Sequence, residues 1–254
     1  MAKPYLTVDN FTNKDVGLSV KGLRKVYKSR LALMDFSIFV TRGEVVSLLG
    51  PNGAGKTTAF NIIAGIHRSD GGSIKLDGDE ISNLPMYRRS KSGLGYLPQE
   101  SSIFKGLTVE KNIDAILELK IRDPKERRKK LEELLGEFSI THLRNARAVN
   151  LSGGERRRVE IARCIASNPT HILLDEPFSG IDPIAIQDLK NLIEYLKQRR
   201  IGVLITDHNV KDTLDIVDRA YVLYDGKILL KGNPFEIKND QKVKSVYLGK
   251  SFSM

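Results

Sequence analysis

The chain has 254 residues, enough for a substantial buried core, and its 41 % hydrophobic and 28 % charged content is typical of a globular protein. No apolar run approaches the roughly 18–20 residues needed to span a bilayer, and we expect no secretory signal. The lone cysteine, Cys164, excludes an internal disulfide. The net charge of +10 is compatible with a nucleic-acid partner, with an anionic membrane surface or with a solvated protein surface. Because its basic groups are not interleaved with aromatics, we expect no nucleic-acid partner.

The pattern along the chain predicts an N-terminal extension over residues 1–16, followed by one α/β domain over 17–254. Apolar runs predict strands at 18–20, 34–40, 45–49, 73–76, 94–97, 172–174, 203–206, 220–224 and 227–230. Helical spacing predicts helices after 57, over 108–138 with a break at Asp123-Pro124, after 152, from 183 and from 210. This order predicts a mostly parallel core sheet with an antiparallel addition, an inserted helical lobe over about 100–168 and a C-terminal tail over about 233–254.

The segment Gly50 to Thr57 fills every fixed position of the phosphate-loop pattern G-x-x-x-x-G-K-[ST]. It lies between a predicted strand and a predicted helix, where backbone N–H groups and the helix dipole attract a phosphate. Lys56 supplies a cation for the terminal phosphates, and the Thr57 hydroxyl can bind Mg²⁺. The residues expected to cradle the nucleotide are Pro51, Asn52, Gly53, Ala54, Gly55, Lys56, Thr57 and Thr58. The sequence therefore predicts a P-loop NTPase fold.

A second anion site is predicted at Leu151 to Glu155, which reads LSGGE. Ser152 and Glu155 have the spacing of a capping box, so a helix begins there. Two glycines in its first turn, Gly153 and Gly154, are unfavourable for the helix but leave its N–H groups open to an anion. The chain has only one phosphate loop. We therefore expect a head-to-tail homodimer in which Ser152, Gly153 and Gly154 contact the nucleotide bound by the partner.

Two consecutive carboxylates, Asp175 and Glu176, follow the apolar run at 172–174. A carboxylate at the end of a buried strand can hold Mg²⁺ beside the phosphate loop. The next one along is placed to polarise a water molecule as a general base. The pair predicts hydrolysis of the bound nucleoside triphosphate.

The order of phosphate loop, Gln99, LSGGE and Leu173 to Pro177 resembles the nucleotide-binding subunits of ABC transporters, over about 18–230. The resemblance implies ATP and Mg²⁺ as ligands, with Thr57, Gln99 and Asp175 around the metal. It makes Glu176 the catalytic base and His208 the histidine that contacts the γ-phosphate. It also implies that Tyr27 stacks on the adenine ring and that Ser179 to Asp182 contacts the opposite subunit.

Several local stretches resemble the ATPases of lipopolysaccharide-export transporters in particular: 95–104, 153–163, 176–183, 206–210 and 243–249. That resemblance implies integral membrane subunits bound to the helical lobe, in a groove that includes Phe104 and the segment to Ile113. It implies a peripheral position on the cytoplasmic face of the inner membrane. The ATPase of a branched-chain amino-acid importer stays open as an alternative. A soluble ABC ATPase acting on nucleic acid or ribosomes is a third reading.

Overall fold

The computed structural model describes residues 16–28, 30–180 and 183–245. The strands are β1 (Leu18–Tyr27), β2 (Arg30–Val40), β3 (Val45–Leu49), β4 (Gly71–Leu76), β5 (Asp79–Glu80), β6 (Leu94–Leu97), β7 (His171–Asp175), β8 (Gly202–Thr206), β9 (Arg219–Tyr224) and β10 (Lys227–Gly232). The helices are α1 (Lys56–Ala64), α2 (Met86–Lys91), α3 (Val109–Leu117), α4 (Pro124–Glu137), α5 (Gly153–Ala166), α6 (Pro183–Gln198), α7 (Val210–Leu214), α8 (Pro234–Asn239) and α9 (Gln241–Val243). Short 3₁₀ turns lie at Thr141–Leu143 and Ala148–Asn150.

The larger sheet has six strands in the order β10-β9-β3-β8-β7-β6. All neighbours are parallel except β9 and β10, which form the predicted antiparallel hairpin. Every residue of β3, β7 and β8 is buried, as expected for parallel strands covered by helices on both faces. The carboxyl ends of these three strands meet at one edge of the sheet, where open α/β sheets bind their ligands.

The smaller sheet is antiparallel, with strand order β2-β1-β4-β5. It shares a hydrophobic core with α1 and one face of the larger sheet, through buried residues such as Phe36, Leu48 and Phe60. The Met34 N–H donates to Gly226 O (2.8 Å), and the Gly226 N–H donates to Ala54 O (3.1 Å). Gly226 therefore connects β2 to the phosphate loop through backbone hydrogen bonds.

The helical lobe consists of α3, α4 and α5. Its predicted break is confirmed, since α3 ends at Leu117 and α4 begins at Pro124. The side chain of Asp123 caps α4 by accepting from the Lys125 N–H (3.1 Å). Leucines at helical spacing on α4, Leu131, Leu134 and Leu135, are buried in the same core as the parallel strands.

Several strands are longer than predicted, most of all β1 and β2, which begins at Arg30. β1 runs to Tyr27, because register shifts against β2 between Val20 and Val26 disturb the alternation of apolar and polar residues.

In the described part of the chain, no helix is long and apolar enough to cross a membrane. Most of the predicted N-terminal extension, residues 1–15, and the tail from residue 246 lie outside the described residues.

Candidate functional site

A cavity of about 590 Å³ opens at the carboxyl edge of the parallel strands. It brings together the phosphate loop, the turn between β1 and β2, and the segments after β7 and β8. Its lining residues are Tyr27, Arg30, Ala32, Asn52, Gly53, Gly55, Lys56, Thr57, Thr58, Glu176 and His208. Most of the residues predicted to contact the nucleotide in its own subunit therefore lie around one space. Its volume falls in the usual range for small-molecule sites.

The phosphate loop requires glycine at Gly55. This residue has a left-handed φ of 110°, and a Cβ placed there would lie 2.6 Å from Ala32 O. Because α1 begins at the next residue, Lys56, its first N–H groups have no partner within the helix. The loop and the helix start together present backbone donors to the cavity, as a phosphate site requires.

The Lys56 ammonium is buried and bound by its own loop. Its Nζ donates to Gly50 O (2.6 Å) and to Pro51 O (3.1 Å). Burial lowers the pKa of Lys56, and the carboxylates of Glu176 and Asp175 oppose that shift. The two acids therefore stabilise the charged lysine beside the phosphate loop.

Glu176 and His208 form a close pair at the ends of adjacent strands, with Nε2 of His208 2.6 Å from Oε1 of Glu176. The Glu176 side chain is 14 % exposed, whereas that of His208 is 54 % exposed. Glu176 has a left-handed φ of 46°, which is uncommon for a residue with a side chain, and its N–H donates to Thr206 O (2.7 Å). The Glu176 side chain lines the cavity, so this uncommon backbone conformation occurs at the candidate site.

Asp175 is buried at the end of β7 and accepts a hydrogen bond from the Tyr96 hydroxyl (3.3 Å). Burial raises the pKa of Asp175, with Glu176 adding to the shift and the Tyr96 hydrogen bond opposing it. The described residues contain no cluster of three His, Cys, Asp or Glu that could hold a metal alone. One carboxylate and the Thr57 hydroxyl near a phosphate loop form the oxygen donor set that suits Mg²⁺ bound together with phosphate oxygens.

Gln99 is exposed, does not line the cavity, and has its Nε2 3.5 Å from Ser179 Oγ. The residue thus connects the segment after β6 to the segment after Glu176. Its predicted place beside the metal stays a prediction. Of the predicted contact segment at Ser179 to Asp182, Ile181 and Asp182 lie outside the described residues.

The LSGGE segment does not line the cavity; its Ser152 and Gly153 are exposed, whereas Leu151 is buried in the core. The predicted capping box is confirmed: the Ser152 hydroxyl accepts from the Glu155 N–H (3.4 Å), and the Glu155 carboxylate accepts from the Ser152 N–H (2.8 Å). A Cβ added at Gly153 would meet no described atom within 4 Å. The glycine is therefore not needed for packing within the subunit, and the helix start is open to a ligand from outside.

Sequence reasoning missed two charged residues around the cavity. Arg30 lines it and donates from Nη2 to Gly53 O (3.0 Å), but a single arginine at the start of a strand carries no motif signal. Asp207 is buried between Thr206 and His208, and burial raises its pKa. The sequence pattern indicated its neighbour His208, but not Asp207 itself. Asp207 accepts a hydrogen bond from the Phe178 N–H, 29 residues away in the sequence, and no local pattern indicates that contact.

The predicted stacking residue, Tyr27, lines the cavity and is 41 % exposed. Its ring and that of His67 are nearly perpendicular, with an interplanar angle of 81° and centroids 6.4 Å apart, and Lys25 Nζ lies over the Tyr27 ring, 5.3 Å from its centroid. The contact of His67 with Tyr27 shows that this histidine packs beside the site.

Comparisons with known proteins agree with this geometry. A family model described as ABC transporter matches residues 33–179. The chain belongs to the ABC transporter family. The lipopolysaccharide export system ATP-binding protein LptB of Haemophilus influenzae is 53 % identical over 238 residues, which cover 93 % of this chain and 99 % of that protein.

Solved ABC cassettes share the fold. The ADP conformation of MJ1267, an ATP-binding cassette of an ABC transporter, has a TM-score of 0.82 and 29 % identity, covering 92 % of this chain and 99 % of that one. A dimeric post-hydrolysis state of the cassette MJ0796, bound to ADP and Pi, has a TM-score of 0.74 and 28 % identity, covering 85 % of this chain and 98 % of that one. The chain is thus an ABC ATPase, the subunit that binds and hydrolyses ATP to power transport.

Proposed function

We propose that this ABC ATPase powers the extraction of lipopolysaccharide from the inner membrane for export. The cargo assignment is supported by the identity to proteins named as lipopolysaccharide export ATPases, which reaches 53 % in Haemophilus influenzae over almost the whole of both chains. The observation that carries the enzymatic part is the Glu176–His208 pair facing the phosphate-loop cavity.

Each predicted catalytic residue has a distinct role in this proposal. Glu176 accepts a proton from the attacking water, and His208 moves from Glu176 to hydrogen-bond the γ-phosphate. Lys56 exchanges its loop carbonyls for phosphate oxygens. Thr57, Asp175 and Gln99 would hold Mg²⁺, which neutralises charge that develops on the phosphates.

The second nucleotide contact is assigned to the partner subunit. Ser152, Gly153 and Gly154 do not line the cavity of their own subunit, and the space around Gly153 is open. A head-to-tail homodimer would place these helix-start donors against the phosphates bound by the other copy. The dimer of the MJ0796 cassette supports this arrangement, since that protein shares the fold.

The helical lobe is proposed to bind integral membrane subunits on the cytoplasmic face of the inner membrane. Phe104 is 50 % exposed between β6 and α3, with the Arg163 guanidinium 4.8 Å from its ring centroid. Ile113, at the end of the predicted groove, is fully buried in the core. Phe104 is therefore the large apolar side chain of that segment that is exposed to a partner, among the described residues.

The ATPase cycle is tested with Glu176→Gln, which keeps the side-chain shape and removes the base. We expect this variant to bind Mg·ATP, to lose turnover and to accumulate as a dimer in light scattering coupled to gel filtration. Ser152→Arg in the same background is the matched control, because it should prevent the dimer without touching the cavity of its own subunit. A Glu176→Gln chain that stays monomeric in saturating Mg·ATP would contradict the two-chain site.

The cargo is tested by purifying the tagged chain from native membranes in mild detergent and identifying bound proteins by mass spectrometry. Two membrane subunits that release lipopolysaccharide in an ATP-dependent assay would support the full proposal. Recovery of amino-acid permease subunits would contradict lipopolysaccharide as the cargo and indicate amino acids instead. Recovery of ribosomes or nucleic acid instead of membrane proteins would contradict the transport function and indicate a soluble ATPase that acts on those partners.

A further inference from the structure

Asp207 is a buried carboxylate at the junction of two loops of the site. The residue is 2 % exposed and lies between the end of β8 and His208. Its Oδ2 accepts from the Phe178 N–H (2.7 Å), and its Oδ1 accepts from the Asn209 N–H (2.8 Å). No ion pair to Asp207 is present in the described ranges of the chain. The two backbone amides are therefore its principal partners.

The two amides belong to the segments that carry the Glu176–His208 pair. Phe178 lies two residues after Glu176, and Asn209 directly follows His208. A third bond, from the Glu176 N–H to Thr206 O (2.7 Å), runs between the same segments. The left-handed backbone of Glu176 is thus fixed on one side by Thr206 and on the other by Asp207.

We propose that Asp207 is a positioning residue for ATP hydrolysis, which sets the distance and orientation between the Glu176 carboxylate and the His208 imidazole by joining their two loops. This inference rests on the proposed role of Glu176 as the base. Asp207 itself does not line the cavity, so it acts through the two residues that do.

A carboxylate suits this position because it offers two acceptor oxygens and no donor. An asparagine side chain has the same shape, but its NH₂ group would face one of the two backbone N–H groups. One of the two hydrogen bonds to the backbone would be lost, and the side-chain NH₂ donor would lie against a backbone N–H donor. Both Asp207 oxygens accept a backbone N–H, so the acceptor geometry itself favours a carboxylate over an amide here.

The experiment compares three full-length variants with the wild-type chain: Asp207→Asn, Glu176→Gln and Asp218→Asn. Asp218 is a matched control, since its Oδ2 also accepts a backbone N–H, from Val45 (2.9 Å), but at the start of β3, away from the cavity. We measure kcat and KM for ATP, ATP affinity by titration, thermal midpoint, and amide hydrogen exchange at Phe178 and Asn209.

For Asp207→Asn we expect kcat to fall by about ten- to hundredfold, because small displacements of catalytic groups have effects of this size. ATP affinity should stay within about twofold, since the phosphate loop and Tyr27 are untouched. Hydrogen exchange should accelerate at Phe178 or Asn209. Asp218→Asn should lower the thermal midpoint and leave kcat within about twofold.

Three results would overturn the inference. The first is an unchanged kcat in Asp207→Asn while Glu176→Gln is inactive; this rejects the positioning role and leaves the base assignment intact. The second is an equal loss of kcat in Asp218→Asn, which would make the effect one of general stability. The third is normal turnover in Glu176→Gln, which rejects the proposed base and, with it, the residue that Asp207 is said to position.

Discussion

Replacing Tyr27 with alanine should weaken ATP binding while leaving turnover at saturating ATP nearly unchanged. The ring lines the cavity and is 41 % exposed, so part of it is accessible to a nucleotide base. Stacking of a base on an aromatic side chain contributes about 1–3 kcal/mol. Because the ring is partly open to solvent, we take the lower half of that range, which converts to a rise in Kd of about five- to thirtyfold.

The assay is a titration of the purified chain with a fluorescent ATP analogue labelled on the ribose, together with steady-state ATPase kinetics. Tyr27→Phe is the control, because it keeps the ring, and the Tyr27 hydroxyl makes no hydrogen bond to the described residues. An affinity for Tyr27→Ala equal to that of the wild type would refute the stacking role and indicate a tyrosine that only packs. An equal loss in Tyr27→Phe would show that the hydroxyl, and not the ring, binds the ligand.

Three further predictions concern other parts of the molecule. Ser152→Arg should leave ATP affinity nearly intact but lower turnover at least about a hundredfold, because its cation enters the partner's site; normal turnover in an ATPase assay would contradict the trans contact. Arg89→Met should lower the free energy of unfolding in urea by at least about 1–3 kcal/mol. The buried guanidinium donates to Ile62 O and Ile63 O at the end of α1, and to Ser82 O and Leu84 O, and methionine would leave these carbonyls without that donor. Burial lowers the pKa of His171 to about 4, below its ordinary value of 6.5, so the unfolded chain binds more protons between these values. Stability should therefore fall as pH drops through that window, by up to about 1.4 kcal/mol per unit, and His171→Gln should flatten this slope in denaturation experiments.

The parts of the site that the sequence predicted are those whose signal is local. The phosphate loop needs a strand, a glycine turn and a helix start within about twenty consecutive residues, and all of these are present around Gly55. The capping box of Ser152 and Glu155 spans four residues and defines the start of α5. The break before α4 was predictable because Asp123 caps the helix and Pro124 suits its first turn.

The parts that the sequence did not predict depend on contacts between distant segments. Arg30 reaches Gly53 because β1 and β2 turn toward the phosphate loop, and the pairing of those strands includes irregular register shifts. Asp207 bonds to Phe178 across two neighbouring parallel strands. A single charged residue that belongs to no sequence motif does not indicate what it will contact. Its neighbours in space become known only when the order of the strands is known.

Every charged group around the cavity already has a partner within the chain: Lys56 has two loop carbonyls, Glu176 has His208, and Arg30 has Gly53 O. A phosphate that enters must therefore exchange these bonds for new ones, and only the difference contributes to affinity. In the proposed mechanism the exchange at His208 would also affect the chemistry, because a γ-phosphate that takes the imidazole would release the Glu176 carboxylate. Hydrolysis would thus be favoured once the triphosphate is in place, and a diphosphate, which lacks the group that displaces His208, would leave the base paired.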